Sequence, residues 1–337
     1  MTGKLLCRCA AIATAVMALL FAGNRLFQPG QAMQPEEPEP PVLQTEAAET
    51  TIPENPTEET VSPKEIACQE AARKVAAGHI FVYDTSQRKM LYSSAPSTET
   101  LYPASITKLF SAWAALQILE PETVVAAGKE LGLLQPGSST AFIAYGSKLT
   151  VRMLVEAMLL PSGNDAAYVL AAAAGRELAQ DPEISAKKAV SLFVDEMNRM
   201  AAEAGLANSH FANPDGYHAE DHYSCPGDLA TIGELALRNG ILAEYMATQQ
   251  DSVTFASGET ITWYNTNRLL NPESAWYCSQ AVGMKTGYTR EAGYCLLAAF
   301  ETEDGHILAG IFDAENKLSR YTDAVMLFEA VQKAGDG

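Results

Sequence analysis

The chain of 337 residues is 47% hydrophobic, enough to build one large folded domain or two small ones. Asp and Glu number 41 against 23 Lys and Arg, and the formal net charge of −18 argues against nucleic acid as a partner, because phosphates are bound by clustered Lys and Arg. The charge also argues against docking on an anionic lipid surface by electrostatics alone. The six Cys include no Cys-x-x-Cys spacing, so a zinc site is not expected and disulfide pairing stays open.

Residues 1–27 are expected to be a signal peptide or an N-terminal membrane anchor. Lys4 and Arg8 form a basic start, and residues 9–23 are apolar apart from one Thr, as in a signal-peptide core. This run is short of the roughly 20 residues that a spanning helix needs. A small-x-small cleavage site follows at residues 30–32, rather far downstream, so both cleavage and retention as an anchor remain open.

Residues 28–63 are predicted to form a disordered spacer. They contain eight of the chain's 17 Pro and many Glu, without any Lys or Arg. Such a composition cannot bury enough apolar surface to fold. The expected role of the spacer is to hold the folded domain, residues 64–337, away from the membrane.

The folded domain is predicted to begin with a β-hairpin, residues 79–83 and 89–92 around a polar turn. Apolar residues at helical spacing then predict a series of helices, and apolar runs predict three late strands. The helices cover residues 105–120, 151–160, 166–179, 187–204 and 320–333, and the strands cover 281–288, 293–300 and 307–312. Strands at both ends of a helical middle predict an α+β fold, in which one antiparallel sheet built from the chain termini is flanked by helices and carries an inserted helical lobe.

Ser105-Ile106-Thr107-Lys108 is the first of three motifs that can carry chemistry. A Ser and a Lys three residues apart share one face of a helix, so the amine can take the hydroxyl proton if burial keeps it partly neutral. The start of a helix also offers free N–H groups to a developing oxyanion. The motif is weak alone: a second Ser-x-x-Lys begins at Ser185, where we interpret it as a solvated helix start.

Ser162-Gly163-Asn164 is the second motif, and its composition predicts a turn between two helices. One interpretation is the turn alone, with Ser or Asn capping the next helix. In the functional interpretation Ser162 relays a proton, and Asn164 holds either Lys108 or a substrate carbonyl.

Lys285-Thr286-Gly287 is the third motif, at the end of a predicted strand. Lys285 supplies charge, Thr286 a hydrogen bond and Gly287 room for a close backbone approach, which together suit a carboxylate ligand. A Lys on an edge strand is by itself a common protection against aggregation. The order of the three motifs favours the functional interpretation, since the copy at Ser185 follows the second motif and breaks that order.

With these motifs the chain resembles the penicillin-recognising serine enzymes. Within them it looks most like the low-molecular-weight penicillin-binding proteins that are D-alanyl-D-alanine carboxypeptidases, peptidase family S11. The resemblance covers roughly residues 65–335. It includes the stretches 102–108, 162–167, 211–216, 222–224, 228–230, 267–270 and 285–289.

The resemblance implies a β-lactamase/D,D-peptidase-like fold and a serine carboxypeptidase, without metal or cofactor, that removes the terminal D-alanine from peptidoglycan stem pentapeptides through an acyl-enzyme. It also implies covalent binding of β-lactam antibiotics, and action outside the cytoplasm as a secreted or membrane-anchored protein. The implied catalytic residues are the nucleophile Ser105, the base Lys108, and Ser162 and Asn164 in the cleft.

The resemblance also implies how the substrate is bound. Lys285 and Thr286 would meet its terminal carboxylate beside Gly287, and Arg320 would assist them. The backbone N–H groups of Ser105 and Tyr288 would form the oxyanion hole.

The chain departs from the family pattern in places. Tyr288 stands where relatives often have His, and Pro226-Gly227 interrupts a stretch that is usually more helical. Many relatives continue into a β-rich domain and a C-terminal amphipathic anchor, so any membrane tether is expected at the N-terminus.

Other functions stay open. A D,D-endopeptidase would use the same motifs, and an inactive cell-wall-binding homologue is a non-enzymatic alternative. A class A β-lactamase is a further alternative, although the Glu-x-x-x-Asn pattern it needs does not follow Ser162.

His218 and His222 are four residues apart, as in some metal sites, but their polar loop favours local hydrogen bonding.

Overall fold

A five-stranded antiparallel sheet lies at the centre of the fold. The computed structural model describes residues 61–335, so the expected signal or anchor segment and nearly all of the predicted spacer lie outside the described residues. The strands are β1 (His79–Asp84), β2 (Lys89–Ser93), β3 (Val124–Ala126), β4 (Lys148–Thr150), β5 (Gln250–Thr254), β6 (Thr260–Tyr264), β7 (Ala281–Thr289), β8 (Gly293–Glu301) and β9 (His306–Ala314). The sheet order is β2-β1-β9-β8-β7, with β3–β4 and β5–β6 as separate pairs. The predicted sheet of chain termini is therefore confirmed.

Eight α-helices accompany these strands within residues 61–335. They are α1 (Pro63–Ala72), α2 (Thr107–Ala115), α3 (Val151–Leu159), α4 (Asn164–Ala179), α5 (Ala186–Glu203), α6 (Pro226–Arg238), α7 (Gly240–Ala247) and α8 (Ser319–Gly335). In this described part of the chain, none of the helices combines the length and the apolar character that crossing a bilayer requires.

The two faces of the sheet bury separate cores, because successive side chains of a strand point to opposite faces. Leu296, Ala298 and Phe300 of β8 pack with α1 and α8, where Phe300 stacks on Phe328 at a ring distance of 4.4 Å. The alternate residues of β8, such as Leu297, join the core of the helical lobe on the other face. Residues 295–300 of β8 are thus all buried and apolar, and the sheet forms the middle layer of the domain.

Helix α2 ends earlier than its apolar spacing predicts. The predicted helix continued to Glu120, but α2 stops at Ala115 and tighter turns follow, with Gln117 and Ile118 each donating to the carbonyl three residues back. Pro121 explains the difference, because a proline disfavours helical geometry at the residue before it.

The family pattern suggested that Pro226-Gly227 interrupts a helical stretch. In the structure these two residues instead begin α6. Pro is suited to the first helical position, where its missing N–H has no partner to lose. Cys225 caps the helix by accepting from the N–H of Asp228 at 3.5 Å. The departure from the family pattern therefore keeps the helix and fixes its start.

Gly175 is the point of closest approach between α4 and α5. A Cβ at this position would lie 1.8 Å from the carbonyl oxygen of Ala189, so Gly175→Ala must push the two helices apart. We expect the free energy of unfolding to fall by about 1–3 kcal/mol, measured by chemical denaturation. Gly132→Ala is the matched control, because the space around Gly132 is open to 4 Å. Equal stability of the two variants would contradict this packing.

Candidate active site

Ser105 and Lys108 are in direct contact. Ser105 lies in a short 3₁₀ helix (Ala104–Ile106) that leads into α2. The Nζ of Lys108 donates to Ser105 Oγ at 2.8 Å and to the carbonyl oxygen of Asp215 at 2.6 Å. Lys108 is fully buried, and burial lowers its pKa to about 8, although Asp215 and Asp165 act in the opposite direction. The amine is therefore neutral often enough near neutral pH to accept the Ser105 proton.

A loop that we call the central loop, residues 211–224, holds the first motif in place. Ser111 donates to the carbonyl oxygen of Pro214 at 2.7 Å, one helical turn beyond Lys108. The Nδ1 of His222 accepts from the N–H of Ala212, so its Nε2 carries the proton and donates to Thr107 Oγ1 at 2.8 Å. Burial lowers the pKa of His222 to about 4, which keeps the ring neutral. The hydrogen-bonding role expected for this His is what the structure shows.

Gly216 brings the central loop against the turn that contains Ser105. Its φ is 79°, a left-handed conformation that favours glycine. A Cβ at this position would lie 1.9 Å from the carbonyl oxygen of Ala104, beside Ser105. No larger residue can occupy this position without moving the turn that carries Ser105.

The second motif turns from α3 into α4. Ser162 is buried with a left-handed φ of 66°, a strained conformation of the kind found at functional sites. Its carbonyl oxygen accepts from Ser139 Oγ at 2.6 Å. The side-chain amide of Asn164 donates to Ser138 Oγ at 3.0 Å. Among the described residues, the amide therefore binds the loop that contains Ser138 and Ser139 and not Lys108.

Asp165 extends the second motif in a way that sequence reasoning did not identify. Its carboxylate accepts the N–H groups of Ala141 and Ile143 at 2.8 and 3.0 Å. This clamp fixes the loop that carries Ser138 and Ser139 next to the motif. The Asp165 charge also acts on Lys108, which shows that the second motif lies close to the first.

The third motif packs directly on the first. A Cβ at Gly287 would lie 3.2 Å from the backbone nitrogen of Ser105, so glycine allows β7 to approach Ser105 closely. Lys285 is buried, and its Nζ donates to the carbonyl oxygen of Thr286 at 3.0 Å. Burial lowers the pKa of Lys285 well below its usual value, and the charges of Lys108 and Arg320 act in the same direction. The amines of Lys108 and Lys285 are therefore close enough for the charge of one to affect the pKa of the other.

Arg320 lies behind the third motif. Its Nη1 donates to the carbonyl oxygens of Gly287 and Cys295 at 3.1 and 2.9 Å, which ties α8 to β7 and β8. Its Nη2 donates to the hydroxyl of Tyr321, which in turn donates to the carbonyl oxygen of Thr266. The guanidinium is thus held at the back of the strand that carries Lys285.

Two hydroxyl and aromatic contacts complete this side of the site. Thr286 Oγ1 lies 2.6 Å from Thr266 Oγ1, so Thr266 orients the hydroxyl of the third motif. The ring of Tyr288 is more than half exposed and stacks on Tyr294 at a centroid distance of 4.6 Å. Sequence reasoning missed Thr266, although it immediately precedes the Asn267-Arg268 stretch that resembles the family.

The chain is similar to known proteins over most of its length. The profile of the peptidase S11 family, described as D-alanyl-D-alanine carboxypeptidase, matches residues 65–316. D-alanyl-D-alanine carboxypeptidase DacF of Bacillus subtilis is 27% identical over 277 residues, covering 80% of this chain and 67% of that protein. A D-alanyl-D-alanine carboxypeptidase of Streptomyces sp. strain K15 is 35% identical over 195 residues, covering 56% of this chain and 63% of that protein.

Solved structures share the fold as well. The crystal structure of the Streptomyces K15 DD-transpeptidase is 28% identical and matches with a TM-score of 0.69. The match covers 77% of this chain and 98% of that chain.

Glu156 lies on α3, which leads into the second motif. It is 2% exposed, and its Oε1 has no hydrogen-bond partner among the described residues. Burial raises its pKa to about 8, and the neighbouring acids Asp251 and Glu244 act in the same direction. Since the folded state holds a proton on Glu156 that the unfolded chain releases at lower pH, the contribution of Glu156 to stability must fall as pH rises from about 4.5 to about 8.

Glu156→Gln should remove this pH dependence, because the amide cannot ionise. We expect the melting temperature of the variant to fall less than that of the wild type across the interval from about pH 4.5 to about pH 8. Thermal unfolding followed by circular dichroism measures the difference. Parallel pH profiles for the two proteins would show that Glu156 does not titrate as described.

Proposed function

Since this chain belongs to the D-alanyl-D-alanine carboxypeptidase family, peptidase S11, we propose that it removes the terminal D-alanine from peptidoglycan stem pentapeptides through an acyl-enzyme on Ser105. The 2.8 Å contact between Ser105 Oγ and the Nζ of Lys108, a fully buried residue, is the observation that carries the proposal. The names of the curated relatives support the choice of substrate.

In the acylation step Lys108 takes the hydroxyl proton of Ser105, and Ser105 Oγ attacks the carbonyl carbon between the two D-alanines. The backbone N–H groups of Ser105 and Tyr288 stabilise the oxyanion. The peptide bond then breaks, and the leaving nitrogen of D-alanine receives the proton from Lys108 through the Ser162 hydroxyl. Water subsequently hydrolyses the ester and restores Ser105.

Substrate recognition falls to the third motif. Lys285 and the Thr286 hydroxyl bind the carboxylate of the terminal D-alanine, and the guanidinium of Arg320 adds positive charge from behind the strand. The short contact of Thr286 with Thr266 supports this role, because it holds the hydroxyl oxygen of Thr286 in place. Asn164 contributes its amide to a carbonyl of the stem peptide.

The same nucleophile is proposed to open β-lactam rings, which present a reactive acyl group and a carboxylate in a similar arrangement. The activity is proposed to lie outside the cytoplasm, in the secreted or membrane-anchored state. The signal-like composition of residues 1–27 supports this location.

Ser105→Ala should abolish release of D-alanine from a stem pentapeptide, because no other hydroxyl contacts Lys108 among the described residues. Mass analysis of the products measures the release. Ser185→Ala is the matched control, since Ser185 belongs to the second Ser-x-x-Lys sequence but caps α5 by accepting from Lys188. Release by the Ser105→Ala protein would identify another nucleophile. Cleavage of cross-linked dimers without release of D-alanine from the pentapeptide would favour the endopeptidase alternative.

Lys285→Met should reduce kcat/KM for a peptide ending in free D-Ala-D-Ala by about tenfold to a hundredfold, because hydrogen bonds to charged groups contribute about 1.5–3 kcal/mol. The same peptide with a terminal amide lacks the charge, so the wild type should cleave it slowly and the variant should change its rate little. Equal losses on acid and amide would exclude carboxylate recognition by Lys285.

A further inference from the structure

The buried carboxyl group of Asp215 has no role in the steps above. The residue is 0% exposed, and its Oδ1 accepts a hydrogen bond from the N–H of Tyr217 at 3.2 Å. Its Oδ2 is buried without a hydrogen-bond partner among the described residues. Enclosing a carboxyl group that is only half satisfied is unfavourable, so a purely structural function does not account for it.

The backbone fixes this carboxyl group beside Lys108. The carbonyl oxygen of Asp215 accepts from Lys108 Nζ at 2.6 Å. On its two sides, Pro214 accepts from Ser111 of α2, and Gly216 packs against the carbonyl of Ala104. The side chain is therefore held near the amine although the two do not form a direct ion pair in the described chain.

We propose that Asp215 is a positioning residue whose buried carboxyl group sets the protonation state of Lys108 and thereby the pH range of acylation. The inference rests on the proposed function, in which Lys108 is the base.

Groups from several elements face Lys108. Asp215 and the neutral His222 come from the central loop, Asp165 comes from α4, and Lys285 comes from β7. The two carboxylates favour the ammonium form, while burial opposes it. Tyr168 of α4 faces Asp215 from the other side. Asp215 is the carboxylate with an unpaired oxygen, whereas Asp165 is occupied by backbone N–H groups.

Burial brings the pKa values of Asp215 and Lys108 closer together. It raises the pKa of Asp215 and lowers the pKa of Lys108 to about 8. An ionised Asp215 therefore retains a proton on Lys108 that burial alone would release. During attack the proton of Ser105 Oγ passes to Lys108 Nζ, and the carboxylate stabilises the ammonium ion that forms. Asp215 exchanges no proton itself.

Two opposite effects on acylation follow from removing the charge with Asp215→Asn. The pKa of Lys108 falls, so the acid limb of the pH profile should move to lower pH by on the order of one unit. The ammonium ion formed during attack loses stabilisation, so the maximal rate should fall. The measurement is the second-order rate of labelling of the full chain by a fluorescent penicillin across pH. A loss of structure would lower the labelling rate without moving the midpoint of the acid limb of the pH profile.

Glu156→Gln is the matched control. Glu156 is also a buried acid with one unpaired oxygen, and burial raises its pKa to about 8, but it lies among the acids of α3, α7 and β5. The pH midpoint of penicillin labelling should be the same in the Glu156→Gln protein as in the wild type. A shift in Glu156→Gln of the same size as in Asp215→Asn would overturn the inference, because a general effect of buried acids would explain both.

Asp215→Ala provides a second neutral variant that is smaller than the native side chain, in case the amide prevents folding. An unchanged midpoint in whichever variant folds, alongside a labelled wild type, would overturn the role of Asp215 and leave the proposed function intact. A wild type that no penicillin labels at Ser105 would overturn both.

Discussion

The enclosure of the Lys108 amine beside a hydroxyl is the constraint on which the rest of the structure depends. An amine that loses water must receive fixed oxygen atoms in exchange, and here they are Ser105 Oγ and the carbonyl of Asp215. These partners come from the nucleophile turn and the central loop, while Asp165 adds charge from α4. Three separate stretches of chain must therefore be in place before the amine can be buried, and the same three stretches form the walls of the site.

The sheet contributes the remaining wall through its position in the topology. β7 is the terminal strand in the order β2-β1-β9-β8-β7, so one edge of its backbone has no neighbouring strand in the sheet. Under the proposed function an extended stem peptide can add to such an edge, with backbone hydrogen bonds giving affinity and the third motif giving selectivity. The close fit of Gly287 to Ser105 then aligns the peptide with the nucleophile. Arg320 ties this strand to β8 by donating to the carbonyl oxygens of Gly287 and Cys295.

Much of the fold could be predicted because its long elements have clear periodicity. The helix predicted at residues 187–204 is observed as Ala186–Glu203, and the late strands agree as closely. The pair β5–β6 was not predicted, because its short strands are largely exposed and β5 has a single apolar residue. The alternation of Ile261 and Trp263 with threonines in β6 is a signal that sequence reasoning missed. In the site, the three motifs were recognisable because each is local in sequence. The bonds of Lys108 to Asp215 and of Thr107 to His222 span 107 and 115 positions, a separation that no local spacing reveals.

The pairing of α1 with α8 has a topological consequence. A Cβ at Gly335 would lie 3.5 Å from the Cε of Lys64. The two ends of the described chain are therefore neighbours on the sheet face opposite the helical lobe. The path of residues 61–335 therefore begins and ends at nearly the same place. A few added residues would join the two ends of this segment, which could then be opened at an exposed turn elsewhere to give a circular permutant with the same cleft.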